Sequence, residues 1–243
     1  MSNSSAIVPV VEKFVSINGE GLRAGRLAAF IRTPGCNLSC LWCDTMWANE
    51  SGCEREYFSV ESLVTWVATT PASCVTLTGG EPTLQRGLPA LIEALYLSNE
   101  WGAADPRVIE IETNGAVDLA ELNALRHRLD KSHTLLSAQV AFTVDCKLPT
   151  SGMFEYMCDE NYACLREGDT VKFVIGSIDD LHCAKRVINT YDLCNKAQVL
   201  FSPVFGQIDP VQIVKFMEDQ RLSQVRLQLQ LHKIIWPHQD KGV

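Results

Sequence analysis

The chain has 243 residues, 47% hydrophobic and 21% charged, with a net charge of −8 at neutral pH. That is an ordinary globular mix, long enough for one domain with a sizeable core. No stretch gathers Lys and Arg into a patch, which speaks against nucleic acid as a partner. No apolar run approaches the ~18 residues needed to span a bilayer.

The opening MSNSSAIVPVVEKF lacks the basic-then-apolar pattern of a secretory signal. We therefore expect a soluble, cytoplasmic protein whose ten cysteines are reduced thiols and metal ligands rather than disulfides.

Val8–Gly21 precedes the first strand–helix unit and is expected to form a separate edge hairpin, within an extension over about residues 8–25. Leu27–Arg32 is the first apolar strand. Ser59 caps a helix running to Thr69, followed by a strand at Cys74–Thr78, a helix from Gly87 to Asn99 and a strand at Arg107–Glu112. Asp118 with Glu121 marks the next helix start, and Val140–Cys146 the next strand. Thr150–Tyr162 breaks the rhythm as an excursion over one face. Strand Thr170–Ile175 leads to a helix capped by Ser177 with Asp180. Strand Ala197–Ser202 leads to one begun by Asp209, Pro210 and Gln212, and the last strand is Val225–Gln230.

Strands rich in Val, Ile, Leu and Phe, alternating with helices, predict an α/β fold with parallel βα units. The length is slightly small for an eightfold barrel, so the expected architecture is a single domain over 1–243 forming a partial, open TIM-like βα barrel of about six parallel strands.

The first strand runs into "GCNLSCLWCDT", where Cys36, Cys40 and Cys43 have the spacing C-x3-C-x2-C. Thiolates at this density hold zinc or an iron–sulfur cluster, and a loop at the C-terminal end of a barrel strand is where barrel enzymes carry their chemistry. Cys53 lies further along and no His precedes residue 127, so a closed zinc site needs a remote fourth ligand. The other reading is a four-iron cluster on three cysteines, with one iron left open. Cys158, Cys164, Cys183 and Cys194 form no compact ligand set and read as small apolar residues.

Thr76–Gln85 reads "TLTGGEPTLQ". Gly79 and Gly80 let the backbone approach a ligand closely, Glu81 can accept from an ammonium, and Pro82 stiffens the exit. Asp145, Cys146 and Lys147 end one later strand; Ser202, Pro203, Val204 and Phe205 end another. Arg32 ends the strand before the cysteines, placed to pair with a substrate carboxylate. Thr45 follows Asp44 after the triad, and its hydroxyl is a hard donor suited to Mg²⁺. His232, after the last strand, could hydrogen-bond a heterocycle.

The C-x3-C-x2-C loop, with Trp42 before the third cysteine and Gly-Gly-Glu-Pro one βα unit later, resembles the radical S-adenosylmethionine (SAM) superfamily. The resemblance implies a 4Fe-4S cluster on Cys36, Cys40 and Cys43. It also implies SAM chelating the open iron, cleaved by one electron to a 5′-deoxyadenosyl radical.

Further motifs narrow the likeness: Gly19-Glu20-Gly21, Arg32 before Gly-Cys, Cys43-Asp44-Thr45, Glu-Thr-Asn-Gly at Glu112–Gly115, Lys147–Gly152 and Gln230–Lys233. Together these are similar to the 7-carboxy-7-deazaguanine synthase family. That likeness implies Mg²⁺-dependent ring contraction of 6-carboxy-5,6,7,8-tetrahydropterin to 7-carboxy-7-deazaguanine, with loss of ammonia, for queuosine-type 7-deazapurines.

By position, Ile17, Asn18 and Gly19 would contact the pterin, Arg32 its carboxylate and Thr78 its edge, with Glu112 and His232 as hydrogen-bonding partners. Asn18 stands where many members have Gln. Trp42, Cys43, Asp44, Gly80, Glu81, Asp145, Cys146, Lys147 and the Ser202–Phe205 group would line the nucleotide. Thr45 would hold Mg²⁺. A homodimer and an electron donor such as flavodoxin or ferredoxin are further implications. The alternative inside the superfamily is an activase that places a glycyl radical on a partner protein. Outside it stands a zinc module.

Overall fold

The computed structural model describes residues 6–50, 52–102, 106–132, 138–239 and 241–243. Ten strands are formed: β1 Ile7–Val10, β2 Glu12–Ile17, β3 Leu27–Thr33, β4 Glu56–Ser59, β5 Cys74–Gly79, β6 Val108–Thr113, β7 Gln139–Cys146, β8 Thr170–Ile175, β9 Gln198–Pro203 and β10 Val225–Leu227. Eight of them make one sheet in the order β10-β9-β8-β7-β6-β5-β3-β2. From β3 to β10 every neighbouring pair is parallel, and β2 joins antiparallel at the edge. β1 and β4 form a separate two-stranded pair.

Among the described residues seven parallel strands are present, in line with the expected barrel of about six, and the last, β10, is shorter than expected at three residues. The main helices are α1 Val60–Ala68, α2 Leu88–Leu97, α3 Ala120–Lys131, α4 Ile178–Tyr191, α5 Pro210–Asp219 and a short α6 Leu231–Ile235. None of the described helices is long and apolar enough to cross a membrane.

Several starts follow the capping chemistry. The Ser59 hydroxyl accepts from the Ser62 amide, Ser177 from Asp180 and Asp209 from Val211, satisfying N–H groups that the first helical turn leaves without partners. At α3 the expected cap is displaced. Leu119 takes the cap position, and the Asp118 carboxylate accepts from the Ala120 amide as a local turn.

The segment at 8–25 is not a self-paired hairpin. β2 returns through the 18–26 turn onto β3, with Glu12 opposite Arg32, while β1 pairs with β4. Between β7 and β8 the chain makes only short 3-10 turns, at Pro149–Ser151, Phe154–Tyr156 and Asp159–Ala163.

The strands alternate between two unlike faces, as a period of two requires. One face carries Ile31, Leu77, Ile111, Phe142, Phe173 and Phe201, all buried in the large apolar core shared with the helices. The other face lines the barrel interior in layers. At one end lie Ala28, Cys74, Val108 and Ala141, a small apolar cluster joined by Phe30. Further along sit Thr76, Glu110 and Thr143. At the C-terminal ends come Arg32, Thr78, Glu112, Asp145 and Lys172. The interior is thus polar toward the mouth, where the ligand-bearing loops emerge.

Candidate active site

A cavity of about 220 Å³ opens at the C-terminal ends of the strands. Cys36, Cys40 and Cys43 line it together with Trp42, Asp44, Thr45, Gly80, Arg32, Thr78, Glu112, Asp145, Lys147, Ile17, Gly19 and His232. One enclosure therefore holds most of the residues singled out in the sequence, drawn from the end of β2 and the turn after it, the ends of β3, β5, β6 and β7, and the segment after β10.

The cysteine loop is held against the Gly-Gly turn. Gly79 has φ +144°, in the region that favours glycine, and a Cβ there would collide with the backbone of Thr33. A Cβ on Gly80 would strike the Gly35 carbonyl and Asn49 Oδ1. The Gly80 amide donates to the Thr33 carbonyl at 3.0 Å and the Glu81 amide to the Gly35 carbonyl at 2.8 Å.

Polar N–H groups point at the thiols. Asn114 Nδ2 lies 3.3 Å from Cys36 Sγ, the Leu38 amide 3.4 Å from the same sulfur, and Asn49 Nδ2 3.9 Å from Cys43 Sγ. Asn49 Oδ1 is buried and has no hydrogen-bond partner among the described residues.

Charge is concentrated where β7 and β8 meet the β2–β3 turn. Lys172 Nζ bridges Glu20 Oε2 at 3.0 Å and Asp145 Oδ1 at 3.2 Å, and Lys147 Nζ holds Asp145 Oδ2 at 2.6 Å. The Ser202 hydroxyl donates to Glu20 Oε1 at 2.6 Å. Burial alone would raise the Glu20 and Asp145 carboxyls. The lysines beside them, with the Ser202 hydroxyl at Glu20, outweigh it, and both lie below the usual carboxylate range.

Burial would lower Lys172, but Asp145, Glu20 and Glu112 hold it well above its ordinary value. Glu112 lacks such compensation: burial, with help from Glu110, pushes it up to about 7 despite Lys172. His232 is shifted down, chiefly by burial.

Arg32 lines the cavity, but its Nε is taken by Glu12 Oε1 at 2.6 Å. The guanidinium therefore stands in a fixed plane, with its other edge as the surface available to a ligand carboxylate. Gly19 packs on His232, whose Nδ1 would be struck by a Cβ, and the Leu231 amide donates to the Gly19 carbonyl at 3.0 Å.

Other expected residues do not reach the cavity wall. The Asn18 side chain is buried, accepting from Thr76 Oγ1 at 2.8 Å and donating to Glu110 at 3.4 Å. Glu81 is fully buried: its carboxylate accepts from Thr83, from Thr113 Oγ1 at 2.9 Å and from the Asn114 amide at 2.6 Å. It organises the loops behind the cavity, and burial raises its carboxyl despite these bonds.

Cys146 is on the other strand face, in the apolar core, where it accepts from the Tyr162 hydroxyl at 3.2 Å. Among Ser202, Pro203, Val204 and Phe205, none belongs to the cavity lining. Ser202 acts through Glu20, and Phe205 is 71% exposed. Glu20, Lys172, Asn49 and Asn114 were missed. The signals were present: Glu20 sits in the Gly-Glu-Gly motif, Lys172 is the one charge in the apolar strand TVKFVI, and Asn114 lies in Glu-Thr-Asn-Gly.

The radical SAM superfamily model matches residues 30–133. A 7-carboxy-7-deazaguanine synthase of Clostridium acetobutylicum is 44% identical over 234 residues, covering 96% of this chain and 98% of that protein. One of Chlorobaculum tepidum is 33% identical over 244 residues, covering 99% and 100%. The crystal structure of QueE from Escherichia coli superposes with a TM-score of 0.66 at 22% identity, covering 92% of this chain and 94% of that one, a likeness of fold.

The chain is thus a radical SAM enzyme, with a mostly parallel α/β barrel carrying the cysteine loop at its mouth. Within that superfamily it belongs to the 7-carboxy-7-deazaguanine synthase family.

The family implies a 4Fe-4S cluster and SAM, and the residues present fit them. Three thiols face one cavity, N–H groups are aimed at two of them, and an unpartnered acceptor, Asn49 Oδ1, stands beside the glycine turn. Among the described residues no three His, Cys, Asp or Glu side chains gather tightly enough for a single metal ion.

Proposed function

We propose that this chain, as a single domain, converts 6-carboxy-5,6,7,8-tetrahydropterin to 7-carboxy-7-deazaguanine with release of ammonia, in a route to queuosine-type 7-deazapurines. The observation that carries this reading is the single cavity that brings the three thiols together with Arg32, Thr45, Thr78, Glu112 and His232. Cys36, Cys40 and Cys43 would hold the cluster, which together with SAM would supply the radical chemistry for hydrogen abstraction.

The remaining work belongs to the protein's own groups. The β2–β3 turn at Ile17–Gly19 would seat the pterin, with Gly19 backed by His232. Arg32, steadied by Glu12, would offer its free edge to the substrate carboxylate. Above pH about 7 Glu112 is a carboxylate, suited to accept from the amino and ring N–H groups of the pterin edge through both oxygens; below it one oxygen carries a proton and donates, leaving a single, uncharged acceptor. Thr78 lines the same wall.

Trp42, Asp44, Gly80, Asp145 and Lys147 would flank the nucleotide, and Thr45 would give Mg²⁺ an oxygen ligand that fixes the substrate during rearrangement. Enclosure keeps water away and holds the reacting carbon in place. A homodimer and a flavodoxin- or ferredoxin-type reductant complete the reading.

The test is anaerobic turnover of the carboxytetrahydropterin with SAM, a reductant and Mg²⁺ by cluster-reconstituted protein. Formation of 7-carboxy-7-deazaguanine is the expected result. A brown, iron-replete protein that forms neither this product nor 5′-deoxyadenosine would overturn the assignment.

A further inference from the structure

Lys172 is the one charged residue of β8, and it sits between two parts of the site that have separate duties. Glu20 belongs to the turn that carries Ile17–Gly19. Asp145 belongs to the strand end proposed to face the nucleotide. The Lys172 ammonium reaches both, at 3.0 Å and 3.2 Å, and the Lys172 residue is 9% exposed. Neither carboxylate has slack. Glu20 is also held by Ser202, and Asp145 by Lys147, so a shift of one carboxylate is transmitted through a short, filled chain of ion pairs.

Burying such a set is a poor way to gain stability, because desolvation offsets much of the attraction. Val171 and Phe173 on either side face the apolar core, so β8 is held in the sheet by them and not by the Lys172 charge. What the charge provides is a fixed geometric relation between the turn and the β7 end. No other side chain ion-pairs with both among the described residues.

We propose that Lys172 is a positioning residue that couples the two halves of the site, so that filling the pterin half tightens SAM binding and the reverse. This rests on the ligand placement proposed above. When either ligand shifts its carboxylate, the ammonium moves with it, and the second ligand meets a wall already in its bound position. Linkage requires the effect to be reciprocal.

The experiment measures SAM binding to cluster-reconstituted protein by equilibrium titration, with and without 7-carboxy-7-deazaguanine, and then product binding with and without SAM. Wild-type protein should show each ligand tightening the other about fivefold or more. Lys172→Met should reduce the coupling to less than twofold and weaken both ligands taken singly. Lys172→Arg, which keeps the charge, should restore most of it. Thermal midpoints are read alongside, and Lys172→Gln replaces the Met variant if that one does not fold.

A purely structural lysine would alter the midpoint and leave the coupling factor unchanged. That result, or a loss confined to one ligand, would overturn the proposal. If wild-type protein binds SAM but not 7-carboxy-7-deazaguanine, the pterin reading itself fails. If it binds both without coupling, the role of Lys172 alone fails.

Discussion

Two buried ion clusters share neighbouring strands and are built to opposite plans. Asp169, just before β8, accepts from Arg126 Nη1 at 2.8 Å through both oxygens, from the Phe142 amide at 2.8 Å and from the Arg166 amide at 2.9 Å. Arg126 in turn lies over the Phe142 ring at 4.3 Å and donates to the Cys164 carbonyl at 2.6 Å. Both side chains are fully or almost fully buried.

Three residues further along the strand, Lys172 holds Glu20 and Asp145, and this cluster faces the cavity. Its acids, Glu20, Asp145 and Glu112, outnumber its bases, Lys172 and Lys147, and Glu112 is left titrating near neutrality. The closed cluster spends most of its hydrogen-bonding capacity on the fold, with Arg126 Nε buried and without a hydrogen-bond partner among the described residues. The open one leaves charge unbalanced where a ligand is to arrive, as functional sites tend to do.

The contrast predicts that the two regions fail differently. Replacing a thiol at the mouth, Cys40→Ala, should abolish iron retention at four per chain, absorbance near 400 nm and all turnover while leaving the circular dichroism spectrum native. A variant with full iron would break the assignment of that cysteine. At the other pole, Arg126→Met should cost about 3–5 kcal/mol by stranding a buried carboxylate. The urea midpoint should fall, with KM unchanged for protein that remains folded.

Glu112→Gln should lower kcat/KM for the pterin about 10–100-fold, the size of a lost charged hydrogen bond. Wild-type kcat/KM should rise with pH through about 7 as Glu112 ionises, and the Gln variant should lack that limb. Persistence of the limb would assign it to another group.

Thr45→Ala should remove the response of turnover to added Mg²⁺ while SAM cleavage without substrate continues. The smallest effect is expected at Asn114→Ala. Loss of the N–H aimed at Cys36 should lower the cluster's reduction potential, read by electron paramagnetic resonance titration, with SAM affinity little changed.

The cysteine loop, the Gly-Gly turn and most strand limits were legible because each rests on short-range chemistry: thiol spacing, close backbone approach and runs of β-branched residues. What escaped was which face each side chain takes. Cys146 lies between Asp145 and Lys147, and its place in the strand's alternation turns it into the apolar core. Asn18, in the turn just past β2, points down into the barrel interior, where Thr76 and Glu110 take up its amide. Glu81 looked like a ligand group because a carboxylate beside two glycines invites one, yet its oxygens are consumed by Thr83, Thr113 and the Asn114 amide. Lys172 passed unnoticed in an apolar strand because its partners lie far off in sequence, on the β2–β3 turn and β7.

The β2–β3 turn is also clasped from far along the chain. The Gly21 amide donates to Gln228 Oε1 at 2.6 Å, and Gln228 Nε2 returns a bond to the Gly21 carbonyl at 2.9 Å. During synthesis the three thiols leave the ribosome long before Gln228 is made. This clasp on the mouth of the barrel therefore forms late, once nearly the whole chain is in place.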